Sequence, residues 1–264
     1  MRDPARSDSS GVDTLELKPR ATRNGMLVRT ERGWRLGIRA GGSGEYRLAQ
    51  LDDHSGRPRA NLIWRPPLTL SLQARVSSAS VPGTWGFGLW NDPFALGCGP
   101  ARERRRLPAL PQAAWLFSAS ARSQLSLRDD KPGNGFFAQA CMSERVGVWL
   151  VPVVLSFPFS PRNSRRILSR HIHQDAAQVD SDPCVWHHYE LRWLHESTEF
   201  WIDGQQLFRS AVCPRPPLGV VIWIDNQYAA FDTRGRIAWG VESIPEDAWL
   251  EVEQLSCGSR PAAP

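Results

Sequence analysis

Two acidic residues close apolar, tryptophan-bearing runs: Asp92 in Leu89-Trp90-Asn91-Asp92-Pro93-Phe94, and Asp225 in Ile224-Asp225-Asn226-Gln227-Tyr228. Alternate residues of a strand share a face. That rule groups Gly86, Gly88, Trp90 and Asp92, and separately Val221, Trp223 and Asp225. If both faces line one groove, it holds two indoles, two carboxyls and the room left by the glycines. Indole faces stack on sugar rings or flat apolar ligands, while Asp and Asn fix hydroxyls. Candidate ligand contacts are therefore Trp90, Asn91, Trp223, Asn226, Gln227 and Tyr228, joined by Trp115 and Phe137 (with Phe136) from other aromatic runs. Asp92 and Asp225 are the candidate catalytic acid or base, since a carboxyl among aromatic rings has its pKa raised by desolvation. The same residues also have an architectural reading. Asp92 caps a turn before Pro93, Asp225 opens a loop, and most of the twelve tryptophans pack in a core.

Other chemistries have less to stand on. His171-Ile172-His173 would turn two imidazoles one way on a strand, and Asp175 is close in sequence, yet no ligand set with metal-site spacing completes them, so no metal is expected. His187 of the His187-His188 pair reads as a packed histidine. The five cysteines (Cys98, Cys141, Cys184, Cys213, Cys257) form no CxxC pair, which argues against a disulfide framework or a cysteine zinc site. No Gly-x-Ser-x-Gly elbow and no Gly-rich phosphate loop occurs; Gly41 to Gly44 is a turn. No cofactor is implied.

The elements that must position these residues read as strands. Leu68 to Val76 alternates, with Leu68, Leu70, Leu72, Ala74 and Val76 on one face. Trp186 to Leu194 places His187, Tyr189, Leu191 and Trp193 together. Glu199 to Gln205 is a strand running into a tight Asp203-Gly204 turn. Leu218 to Ile224 is nearly all apolar, as in a strand covered on both sides. Many short strands spaced by Gly, Pro, Asn and Asp predict a sandwich or barrel. Ser164 to Val179, without Gly or Pro, is expected to be a short helix or lid. Residues 1–20 and 259–264 are expected as tails flanking one domain, 21–258.

Composition narrows the partners. The net charge is +5, but only Lys18 and Lys131 are lysines, so arginine makes up the rest of the 32 basic residues. With 21 prolines, this skew reads as coding bias rather than selection for phosphate contacts. Solvated loop charge is the expectation for Arg102/Arg104/Arg105/Arg106 and Arg162/Arg165/Arg166/Arg170, and no nucleic-acid partner is expected. The longest apolar candidate, Val146 to Phe157, is short and broken by Pro152, so no membrane span is expected. Met1 to Gly11 has no apolar signal core, which points to the cytoplasm. Oligomeric state is left open.

Three ordered motifs carry a resemblance: Gln73-Ala74-Arg75-Val76 followed by Gly83-Thr84-Trp85-Gly86-Phe87-Gly88-Leu89-Trp90; then Trp186-His187-His188-Tyr189 with Trp193 and Trp201-Ile202-Asp203-Gly204; then Pro217 to Trp223. Over roughly residues 68–255 the chain resembles the laminarinase-type β-glucanases (family 16 glycoside hydrolases) of the concanavalin A-like lectin/glucanase superfamily. The resemblance implies an all-β, two-sheet antiparallel jelly-roll sandwich with a concave groove. It departs where it matters for hydrolysis. Those enzymes carry E-x-D-x-x-E on the strand after the aromatic one, whereas Pro111 to Ser120 here has no acid, and Gln73 stands where they have glutamate. A retaining mechanism needs two carboxyls ~5–5.5 Å apart. Two readings follow: a lectin-like module holding a glycan or glycoconjugate, or an intracellular non-hydrolase, such as a cyclase or isomerase of an apolar metabolite, using Asp92 or Asp225. A structural domain whose groove is filled by its own lid is a third.

Overall fold

In the computed structural model, residues 15–93, 109–144, 161–231 and 237–258 are described. Cys98, Phe94, the arginines at 102–106 and the apolar stretch 146–157 lie outside them.

The chain is an all-β jelly-roll sandwich of two seven-stranded antiparallel sheets with, among the described residues, one short α-helix. The first sheet contains β1 (Lys18–Ala21), β4 (Leu48–Asp52), β13 (Gly219–Asp225), β6 (Thr84–Trp90), β7 (Ala113–Ala119), β8 (Gly135–Ser143) and β9 (Ile172–Gln178), in that order. The second contains β12 (Gln205–Ser210), β11 (Thr198–Ile202), β10 (His187–Trp193), β5 (Leu68–Val76), β16 (Ala248–Gly258), β3 (Gly33–Ile38) and β2 (Gly25–Arg29). A separate hairpin, β14 (Gln227–Phe231) and β15 (Ile237–Val241), follows β13 directly. Among the described residues, no helix is long and apolar enough to cross a membrane.

The period-2 patterns set which faces meet. Along β5 burial alternates at every residue, and Leu70, Leu72 and Ala74 enter the space between the sheets with Tyr189, Leu191 and Trp193 of β10. From the first sheet come Trp85, Phe87 and Leu89 of β6, Leu116 of β7, Phe136 of β8 and Ile222 of β13. Apolar area removed from water, at ~25 cal/mol per Å², dominates the stability of such a core. The Asp203-Gly204 turn is as expected, both residues at positive φ (49° and 76°), the geometry a two-residue hairpin requires. β13 is buried along almost its whole length, as its unbroken apolar sequence implies.

Two expectations are corrected. The sandwich begins before residue 21, because Lys18 to Ala21 pairs with Asp52 to Ala49 along the sheet edge. The stretch 164–179 is not one helix. Helix α1 (Pro161–His171) stops at His171, and Ile172–Gln178 continues as edge strand β9 against β8. Helix formers there yield to the backbone donors and acceptors that β8 presents, since tertiary pairing outweighs weak propensity.

Candidate functional site

The first sheet has a second apolar face, turned away from the sandwich core. Trp90, Trp115, Phe117, Phe137 and Trp223 project from it, with Ala113, Ala119 and Ala176 between them. Strand pairing dictates this grouping. Gly88 of β6 faces Trp115 of β7, Gly86 faces both Phe117 and Trp223, and Trp90 faces Gly219. Large rings on one strand therefore meet glycine on the next.

Trp90 and Trp223 are half-buried, and their planes are parallel to within 2°, centroids 6.3 Å apart. Trp115, at 9% exposure, completes a triangle at 6.1 Å and 6.0 Å, tilted by 55° and 57°. Phe117 bridges Trp223 (6.1 Å) and Phe137 (4.3 Å). The register places Trp90 and Trp223 on one face of the first sheet. The glycines do not leave room for a ligand, however. A Cβ at Gly86 would lie 2.4 Å from Phe117 Cβ, and one at Gly88 2.6 Å from Trp115 Cβ. Their missing side chains let neighbouring strands approach.

A polar relay borders the rings. Trp223 Nε1 donates to Thr84 Oγ1 (2.8 Å), and Thr84 Oγ1 donates to Asp225 Oδ1 (2.8 Å). Tyr46 Oη donates to Asp225 Oδ2 (3.1 Å), and the Gln227 amide donates to Oδ1 (3.2 Å). Burial pushes the Asp225 carboxyl up to about 6, while these hydrogen bonds pull the other way. At the opposite end of the patch the His54 ring stands edge-on to Trp90, 5.6 Å away. The Asp52 carboxylate accepts from the His54 and Ser55 amides and from Gln50 Nε2. Trp115 Nε1 donates to Gln139 Oε1 (2.9 Å).

The remaining candidates divide. Phe137 belongs to the patch but is 0% exposed, and Phe136 points into the sandwich, so neither offers a free ring face. Asn226, also 0% exposed, is consumed by backbone: it accepts from Arg47 N and donates to Glu45 O and Glu242 O. Asn91 ties the end of β6 to the approach of β7 through Leu110 O and Gln112 N. Tyr228 lies on the hairpin with the Arg122 guanidinium 4.1 Å over its ring. Asp92 sits past the end of β6 at φ 50°, outside the strand alternation, its carbonyl held by Arg59.

Asp92 and Asp225 are not brought together. Asp225 pairs with Thr84 and Gly219 with Trp90, so the two acids stand at opposite ends of a seven-residue ladder. At ~3.4 Å per residue that is roughly 20 Å, too far for paired acid and base. β7, the strand beside β6, carries no acidic residue. Elsewhere, His171 and His173 both meet Glu144 rather than Asp175, at 2.8 Å and 3.2 Å. Asp175 instead takes Ser210 and Lys131. Among the described residues, no three His, Cys, Asp or Glu side chains are grouped to hold a metal ion.

Sequence reasoning missed Thr84, Tyr46, His54 and Gln139. Gln139 was within reach, two residues from Phe137 on the same face; Tyr46 and His54 flank β4, which only its pairing with β13 brings to the site.

No family model matches the chain, and no curated protein matches it. Among solved structures it is similar to a legume lectin-like domain from Entamoeba histolytica (TM-score 0.46, 10% identity, covering 93% of this chain and 90% of that one). It is also similar to a GlcNAcα1-4Gal-releasing endo-β-galactosidase from Clostridium perfringens (TM-score 0.43, 11% identity), covering 94% of this chain and 64% of that one. A third is a carbohydrate-binding module from Bacillus subtilis (TM-score 0.38, 8% identity, 91% and 95%).

Proposed function

We propose that this chain is a lectin-like module that binds a saccharide, alone or in a glycoconjugate, on the aromatic patch of its first sheet. The parallel Trp90 and Trp223 rings, half-exposed above Trp115, carry the reading. A pyranose presents a face of C–H bonds that lies against an indole, and an amphipathic ring of this size supplies contact area at little entropy cost. Any kinship with β-glucanases is one of scaffold rather than of chemistry, because Ala113 to Ala119 offers no carboxyl beside β6.

The competing reading, a non-hydrolase acting through Asp92 or Asp225, draws on the raised pKa of Asp225. Against it, the Asp225 carboxyl is 6% exposed and already accepts from Thr84, Tyr46 and Gln227. Binding without turnover is the better fit.

Affinity electrophoresis against soluble glucans, xylans and galactans tests the module directly. Retardation by one polysaccharide, lost in Trp90→Ala and in Trp223→Ala, is the expected result. Unchanged migration across the panel, with small apolar metabolites quenching tryptophan emission instead, would move the assignment to the second reading.

A further inference from the structure

The rows that cross the first sheet lead from the aromatic patch to two cations at its edge. Residues directly opposite each other on antiparallel strands project from the same face. Trp223 of β13 pairs with Gln50 of β4, and Gln50 pairs with Arg20 of β1. In the neighbouring row Val221 pairs with Asp52, and Asp52 with Lys18. Lys18 and Arg20 therefore stand on the patch face, two strands from Trp223, or roughly 10 Å at ~4.8 Å per strand. Their bonds agree with that placement. Lys18 Nζ donates to Ser55 O (3.1 Å) and Arg20 Nη1 to Ser55 Oγ (3.5 Å), next to His54, whose ring stands edge-on to Trp90.

Neither cation is matched by an anion. Among the described residues, no carboxylate pairs with Lys18 or Arg20, and both side chains reach solvent. Asp52, opposite Lys18, is 0% exposed, and its oxygens accept from the His54 and Ser55 amides, the Ser55 hydroxyl and Gln50 Nε2. The second sheet treats its arginines differently: Arg35 and Arg75 share Glu251, and Arg192 meets Glu190. The patch thus has an uncharged aromatic floor and, at the β1 edge alone, two cations open to a ligand. A guanidinium takes the oxygens of a carboxylate or sulfate two at a time, and an ammonium adds a point charge beside it.

We propose that the saccharide bound on this patch is acidic, its carboxylate or sulfate group held by Lys18 and Arg20. The inference rests on the saccharide-binding reading and names the substituent that reading leaves open. A short oligosaccharide laid across the strands from Trp223 ends over β1, where its anionic group meets both cations.

The test is calorimetric titration at physiological ionic strength with sugars that differ only in the acid group. One pair is oligogalacturonides against their methyl esters, for a carboxylate; the other is carrageenan oligosaccharides against their desulfated forms, for a sulfate. In the unsubstituted protein the acidic member of at least one pair should bind about tenfold tighter than its neutral counterpart, as befits exposed charge-assisted hydrogen bonds. The responding pair names the acid. Lys18→Gln with Arg20→Gln should bring that ratio toward one. Arg166→Gln with Arg170→Gln, on helix α1 at the opposite edge of the sheet, removes the same charge and should leave the ratio as it was. Equal affinity for acidic and neutral sugars, or a ratio that falls as far in the α1 variant, overturns the inference while the saccharide reading stands. Silence from every sugar overturns both.

Discussion

At the residue scale, tryptophans of one sequence type divide into two kinds. Trp85 and Trp223 each belong to an apolar strand, but Trp85 is 1% exposed between the sheets and Trp223 is half-buried on the outer patch. Trp85→Ala therefore opens a core cavity and should cost about 3–5 kcal/mol, seen as a lower denaturant midpoint. Trp223→Ala removes ring contacts on the outer patch only, so it should lower the midpoint less than Trp85→Ala, leave the chain folded and abolish ligand retardation. Equal loss of stability in both would make Trp223 a core residue and remove the binding site. Thr84→Val asks a finer question. It strands Trp223 Nε1 and takes a donor from Asp225, so about 1–3 kcal/mol should be lost although the shape is kept. Serine at the same position should restore it. The parity of Trp90 and Trp223 was legible in sequence, because period-2 alternation needs no partner strand. The fates of Asp225 and Asn226 were not, since Tyr46 and Arg47 reach them from a strand approach some 180 positions earlier.

At the element scale, β5, β10, β11 and β13 follow from alternation, apolar runs and an Asp-Gly turn. β9 does not, because an edge strand this polar takes its conformation from β8 rather than from its own residues. The β6–β7 seam shows how tightly pairing controls the patch. Alanine at Gly86 would place Cβ 2.6 Å from Leu116 O and 2.4 Å from Phe117 Cβ, contacts relieved only if the two strands part. Gly86→Ala should lower the thermal midpoint and shift the tryptophan emission, since the rings of Phe117 and Trp223 ride on that seam. Gly42→Ala is the control: nothing lies within 4 Å of its Cβ position, and its midpoint should match the unsubstituted protein. If the two variants behave alike, the close approach of β6 to β7 is not what holds the rings.

At the scale of the whole molecule, stability should depend on pH in a way set by carboxyls of opposite kind. Burial raises the Glu251 carboxyl, but hydrogen bonds from Arg75 and Arg35 more than offset it, and His171 and His173 lower Glu144. Such groups stabilise the fold above their ordinary pKa of 4.5 and lose that contribution as pH falls through the depressed value. Asp225 acts in the opposite sense. Its folded pKa, about 6, lies above the ordinary 3.8, so the folded state holds the proton more tightly. Its contribution is complete below about 4 and is lost as pH rises through 6. Asp53, also raised by burial despite its Trp64 hydrogen bond, adds to the same slope. Between pH 4.5 and 6.5 the thermal midpoint should therefore fall as pH rises. Asparagine at 225 mimics the protonated acid: its oxygen keeps the Thr84 hydroxyl and Gln227 amide, and its amide nitrogen faces Tyr46, whose hydroxyl can turn to accept. Asp225→Asn should flatten most of the slope and, at pH 7, stabilise by up to about 3 kcal/mol, at ~1.36 kcal/mol per pKa unit. A profile with the same slope in both proteins would mean that Asp225 ionises in the fold as freely as in the unfolded chain. The desolvation assigned to this end of the patch would then be absent.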